Sequence, residues 1–265
     1  MALLYKYGND GFSLPNRDLF GEGGGLRPVF KITDDAINNN TSNVQTGLIF
    51  NRDITNTTDN ERGNTILQIY QTGIIVDPQV AYHNEIGLDF LEGGKYDQAI
   101  HEFNQALELK PNFTLAYIHI GMTYDMMGKL DLAFLNFDKA LEIDPNNSDT
   151  LREKGYALMN SGSFDRTISY LNAAIINNSN DSLAFNNKGV ALINQEKFDE
   201  ALDSINQGLE ITPDDVTLLT DKVTTLIELK NVSEALTINN KILELDPNNQ
   251  DAIYVKNTLE TSQGN

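Results

Sequence analysis

Between residues 80 and 249, apolar positions return at helical spacing in blocks that begin again every 34 residues. The first block carries His83, Ile86, Gly87, Phe90, Gly94, Ala99, Phe103, Ala106 and Pro111; adding 34 to each number gives Tyr117, Ile120, Gly121, Tyr124, Gly128, Ala133, Phe137, Ala140 and Pro145. All nine positions agree in type. Each block predicts two helices. In the first, His83, Ile86 and Phe90 fall on one face of a 3.6-residue helix. Gly94, Gly128 and Gly162 then supply a stop, because glycine tolerates the left-handed conformation that ends a helix. The second helix gathers Ala99, Ile100, Phe103, Ala106 and Leu107 on one face, and Pro111, Pro145, Pro213 and Pro247 prevent continuation. Asp144-Pro145-Asn146-Asn147 recurs as Asp246-Pro247-Asn248-Asn249, and its Asn and Asp residues suit the cap of the next helix.

The pattern therefore divides residues 80–249 into five repeats, 80–113, 114–147, 148–181, 182–215 and 216–249. Residues 250–265 read as a capping helix and tail, with Ala252, Val255 and Leu259 on one face to cover the last exposed core. Upstream, Ile66 to Pro78 aligns without gaps on Ala201 to Pro213, so residues 60–79 read as a degenerate half-repeat starting near Asp59. Residues 1–59 differ in kind. They hold Gly21-Glu22-Gly23-Gly24-Gly25, a polar run at 38–43, and short β-type runs at 28–32 and 44–50, as in a loosely ordered arm or a small β-element. The glycine run lacks the Gly-Lys-Ser/Thr ending of a phosphate loop and reads as a linker.

The small residues have a packing reason. Two antiparallel helices approach closely only where side chains are small, so Gly at the eighth and Ala at the twentieth position of a repeat permit contact. Ala106 and Ala140, at the twenty-seventh, admit the following helix, and Phe90, Phe103, Tyr124 and Phe137 fill the wedge. Later blocks depart from this. The third has Thr167 for Ala and Ser179 for Pro, the fourth has Gly208 at the twenty-seventh place, and the fifth has Val223 for Gly and Asn239 for the aromatic. Val223 is expected to push its helix pair slightly apart.

Composition narrows the function. A hydrophobic content of 40% is ordinary for a soluble protein, and no apolar run approaches a membrane span, so no membrane insertion is expected. The formal net charge of −19 repels nucleic acid and anionic lipid and favours basic partners. With no cysteine, thiolate chemistry and cysteine-ligated metals are excluded; a reducing compartment and a cytoplasmic location fit. His83, His101 and His119 are the only histidines and none has a second at i+4, so no metal pair is suggested. No nucleophile with a base can be named, no cofactor is implied, and no enzyme is expected.

The residues above resemble the tetratricopeptide repeat (TPR). That resemblance covers about Val80 to Asn249 and implies an all-α fold, a right-handed α-α superhelix or TPR solenoid. It also implies peptide or protein binding in a concave groove lined by first helices. The inward positions carried over from the family give an apolar, methionine-bearing groove of Leu88, Leu91, Ile118, Met122, Met126, Tyr156 and Met159, with Arg152 and Asn187 as polar candidates. Methionine adapts to irregular apolar ligands. The basic clamp by which chaperone-adaptor TPRs hold a C-terminal carboxylate is not reproduced. Asn84, Leu88, His119, Asp149 and Glu153 stand at its positions in repeats one to three, and acids there would repel a carboxylate. In repeats three to five, Arg152 and Asn187 match but Thr217 and Asp221 do not.

The expected function is a non-catalytic adaptor holding a peptide or helix, apolar with basic flanks. A structural subunit, docked through the N-terminal arm or the convex face and with the groove vacant or filled by residues 1–60, is the alternative. A regulatory part of a split or truncated enzyme comes third, with no catalytic residues to support it.

Overall fold

The computed structural model describes Phe20–Gly21, Gly25–Leu26 and residues 77–263. The runs expected to be extended, 28–32 and 44–50, and nearly all of the half-repeat at 60–79 lie outside the described residues. Phe20–Gly21 (β1) and Gly25–Leu26 (β2) form an antiparallel pair with Phe20 opposite Leu26. Eleven helices follow among the described residues. The chain divides into two compact units, Met1–Pro111 and Asn112–Asn265.

In the first unit, α1 (Pro78–Glu92) and α2 (Tyr96–Leu109) pack as an antiparallel pair. The Asp77 carboxylate caps α1 by accepting from the Gln79 backbone N–H at 2.8 Å, and Pro78 stands at the start of the helix, where its missing N–H costs nothing. Gly87 lies against the Phe103 ring, and Ala99, Phe103 and Ala106 are fully buried. His83 Nδ1 pairs with Glu102 Oε2 at 2.7 Å across the two helices.

The second unit holds nine helices: α3 (Thr114–Met126), α4 (Leu130–Ile143), α5 (Ser148–Asn160), α6 (Phe164–Asn177), α7 (Ser182–Asn194), α8 (Phe198–Ile211), α9 (Val216–Glu228), α10 (Val232–Leu245) and α11 (Gln250–Gln263). Consecutive helices pack against one another in pairs. Each first helix also reaches the first helix of the next repeat: α3 touches α5, α5 touches α7, and α7 touches α9. No pair of second helices associates to that extent. The first helices therefore form the inner row of this unit.

Two volume rules run through the packing. Within a repeat, the eighth position faces the twenty-fourth. A Cβ on Gly121 would stand 2.6 Å from the Phe137 ring, one on Gly189 2.7 Å from Ile205 Cγ1, and one on Gly155 3.1 Å from Leu171 Cγ. The fifth repeat exchanges the sizes: Val223 takes the glycine place and the shorter Asn239 takes the large one, both buried. Asn239 then hydrogen-bonds its side-chain N–H to the Ala252 carbonyl at 2.8 Å. The α9–α10 pair associates less extensively than the pairs before it.

Between repeats, the twenty-seventh position faces the third position of the next helix. Ala174 meets Ala184 in one core cluster, and Ile242 meets Ala252 in another. At the α8–α9 joint the pair is Gly208 and Leu218, where a Cβ would fall 2.9 Å from Leu218 Cδ2. Each joint holds a small–small or a small–large pair, never two large residues.

Helix ends follow one scheme. The first helix closes with a 6→1 and a 5→2 backbone bond, for example Lys129 N to Tyr124 O at 2.8 Å and Gly128 N to Asp125 O at 2.8 Å. The residue at the turn has φ near +70° in Gly94, Gly128 and Gly162. In repeats four and five the same left-handed place is held by Glu196 (φ 59°) and Lys230 (φ 60°), whose Cβ atoms are strained there. Asn147, Asp181, Asp215 and Asn249 cap the helices that follow them, accepting from backbone N–H groups at 2.9–3.1 Å.

These features give two stability predictions. Gly208→Ala forces a methyl group onto Leu218 and costs about 1–3 kcal/mol in urea unfolding, as overpacking does; adding Leu218→Ala restores most of the loss from the overlap. Glu196→Gly and Lys230→Gly each stabilise the chain by about 0.5–1 kcal/mol through relief of left-handed strain; a lower melting temperature in both variants contradicts this.

Candidate functional site

The inner row of the second unit carries seven of the nine residues expected to line a groove. Ile118, Met122 and Met126 lie on α3, Arg152, Tyr156 and Met159 on α5, and Asn187 on α7. These three helices touch in sequence. Ile118 and Met159 are buried, while Met122, Met126, Tyr156 and Asn187 are half-buried. Met122 packs partly on the Ala133, Phe137 and Ala157 cluster, so one side of it belongs to the core. Leu88 and Leu91 belong to α1 in the first unit, where Leu88 is half-buried and Leu91 fully buried.

Arg152 is only 6% exposed and is held by carboxylates of its own chain. Its Nη1 donates to Asp149 Oδ1 at 2.9 Å and Asp181 Oδ2 at 2.6 Å, and its Nη2 donates to Glu153 Oε1 at 3.2 Å. Burial alone would lower the guanidinium's pKa, but Asp181, Glu153 and Asp149 outweigh it and raise the value. Asp181 does two jobs at once. Its Oδ1 caps α7 at the Ala184 N–H, 3.1 Å away, while its Oδ2 takes Arg152. A cap at the head of one first helix is thus tied to the side of the previous one. Three acids around one base leave a surplus of negative charge. Asp149 shows its cost: burial raises its pKa, though Arg152 opposes the rise.

His119, on α3, is lowered from 6.5 to about 4 by burial, with Glu153 across on α5 working against the shift. At the far end of the same two helices, Asn160 Nδ2 donates to Asp125 at 3.2 and 3.3 Å. Lys154 points the other way, hydrogen-bonding to Asp138 of α4 and standing 4.9 Å over the Tyr170 ring of α6. Further along the row, Asp221 of α9 is raised from 3.8 to about 7, first by burial and then by Asp215, with neighbouring Asn186 offsetting part of the rise.

The sequence pointed to the inward positions but not to these polar arrangements. Arg152 and Asp181 are 29 residues apart, and the only local signal was that Asp181 stands where a helix cap belongs. Asp221 stood out in the sequence only as a mismatch to the basic clamp, and nothing there pointed to its pairing with Asn186. Among the described residues, no group of three or more His, Cys, Asp or Glu could hold a metal ion, and no helix is long and apolar enough to cross a membrane.

Comparison with known proteins decides the family. Models described as TPR repeat or tetratricopeptide repeat match residues 87–128, 114–147, 152–216 and 192–257. The chain belongs to the tetratricopeptide-repeat family. Solved TPR structures share the fold at low identity. PilW, a widely conserved type IV pilus biogenesis factor, is 19% identical with a TM-score of 0.65, over 72% of this chain and 88% of that one. Pseudomonas aeruginosa pilF is 18% identical with a TM-score of 0.64, over 70% and 85%. YrrB, described as a TPR protein with an unusual peptide-binding site, is 23% identical with a TM-score of 0.53, over 74% and 99%. No curated protein matches the chain.

His119 and Asp221, two titrating groups of the TPR inner row, pull stability in opposite directions. Asp221 holds a proton in the folded chain that the unfolded chain releases above about 3.8, so its contribution falls as pH rises toward 7. His119 resists a proton that the unfolded chain accepts below 6.5, so its contribution falls as pH drops toward 4. These two contributions therefore partly offset each other in the wild-type profile. Asp221→Asn removes one arm: its stability relative to wild type rises progressively between about pH 4 and pH 7. Urea midpoints across that range check this, and parallel profiles for the two proteins contradict it.

Proposed function

We propose that this protein is a non-catalytic adaptor that holds a peptide or a helix of a partner protein along its first helices, and that the ligand is apolar with basic flanks. One observation carries this reading: half-buried Met122, Met126 and Tyr156 stand on touching helices beside an acid surplus. Flexible thioethers and an aromatic ring accept apolar side chains of varied shape. The surplus of Asp149, Glu153 and Asp181 over the single Arg152 favours positive charge next to them. The same acids disfavour a ligand carboxylate, which Arg152, already engaged three times, is not available to neutralise. The peptide-binding description of YrrB supports a protein partner for this fold. The absence of cysteine supports a cytoplasmic setting.

A structural role is the second reading, favoured by apolar side chains on the second helices. Ile176 of α6 is 82% exposed and Leu135 of α4 is 51% exposed. In that role the convex side docks into an assembly.

The test separates the two. Met122→Lys with Tyr156→Lys puts charge of the ligand's own sign on the apolar contacts of the inner row and is expected to weaken binding of a partner peptide at least tenfold from a micromolar starting point. Ile176→Glu with Leu135→Glu leaves that affinity unchanged. Isothermal titration with partner-derived peptides reads both, and the reverse pattern assigns the binding to the convex side.

A further inference from the structure

The inner row has a second polar place, away from Arg152, where a hydrogen bond between Asn186 and Asp221 still leaves one oxygen on each side chain unpaired. Asn186 of α7 and Asp221 of α9 lie next to each other on consecutive first helices that touch. Asn186 is 7% exposed, and its Oδ1 is buried without a hydrogen-bond partner. Asp221 Oδ2 is likewise buried without one. Two hydrogen-bonded side chains on facing helices thus each keep one buried oxygen without a donor, which costs free energy unless a donor arrives.

Beyond the Asn186 amide that pairs with Asp221, the surroundings supply acceptors rather than donors. Thr220, Thr224 and Thr225 spend their hydroxyl hydrogens on carbonyls one turn back, at 2.7, 3.1 and 2.7 Å. Lys222, the residue after Asp221, turns to Glu234 at 3.6 Å. Asp215 adds a further negative charge from the head of α9. Hydroxyls are committed, the adjacent base is directed elsewhere, and the remaining field is negative. An anion is repelled here, and an apolar group would leave both oxygens unpaired.

We propose that Asn186 and Asp221 form a subsite for one protonated side chain, a lysine or an arginine, of the bound peptide. This rests on the reading of the first-helix row as a peptide groove and gives it a register: one base sits between α7 and α9, downstream of the apolar contacts on α3 and α5. The ammonium or guanidinium donates to both orphan oxygens and neutralises the carboxylate. The raised pKa of Asp221 fits a carboxyl that lacks a cation of its own chain.

The test uses the full chain and a displayed library of random dodecapeptides. Peptides selected on wild type are expected to share apolar positions and one fixed lysine or arginine. A selected peptide is then resynthesised with norleucine or citrulline at that position and titrated against wild type and Asp221→Asn, which is isosteric with the protonated acid and keeps the fold. The expected loss is about tenfold on wild type and less than twofold on Asp221→Asn. Equal losses on both proteins, or selected peptides with apolar positions and no fixed base, overturn the subsite while leaving the groove intact. A library from which wild type captures nothing overturns both. Met122→Glu serves as the second control: it weakens every selected peptide but leaves the ratio between the basic and neutral versions unchanged.

Discussion

Close approach of antiparallel helices is the constraint on which the second unit depends. A helix pair at this spacing leaves room for one large side chain at the crossing, and the facing position must be nearly empty. Gly121 under the Phe137 ring, Gly155 under Leu171 and Gly189 under Ile205 are the same solution in three sizes. The fifth repeat, with buried Val223 and Asn239, puts the branched side chain on the first helix and the shorter one on the second. The joints between repeats obey the same rule through Ala174 and Ala184, Gly208 and Leu218, and Ile242 and Ala252. Because each contact is local, one joint can change its chemistry without disturbing the next.

That local accounting frees the inner row for polar groups. The core is filled from the sides where first and second helices meet, so the row of first helices can carry Arg152 with its three acids, His119 beside Glu153, and Asn186 beside Asp221. These groups are not equivalent. The Arg152 cluster is internally satisfied and ties the cap of α7 to the side of α5. Breaking such a buried network is costly, since each charge left behind lacks water as well as a partner. The Asn186–Asp221 place is the opposite, with acceptors left over. One is a brace and the other is an opening for a ligand.

Much of this could be read from the chain. The 34-residue period gave the helices, their stops and their caps, and the family models agree over residues 87–257. Asn147 and Asn249, picked out by the repeated Asp-Pro-Asn-Asn, do cap the helices that follow. Glu196 and Lys230 were less legible: the left-handed turn persists in repeats four and five without the glycine that announces it. Backbone bonds from Lys197 N to Leu192 O and from Asn231 N to Leu226 O hold the turn whatever side chain stands there. Similarly, α6 ends where its neighbours do although Ser179 replaces the proline.

The division has one physical origin. Helix periodicity, helix stops and small-residue positions are set by neighbours along the chain, so the sequence by itself determined them, and with them the family and the order of the elements. Arg152 and Asp181, 29 residues apart, and Asn186 and Asp221, on successive first helices, meet only because the inner row brings helices of different repeats into contact. Whether an inward charge is neutralised or left waiting depends on groups a full repeat away. That was decided by the tertiary structure alone, through burial and through the partners that packing allowed each group to reach.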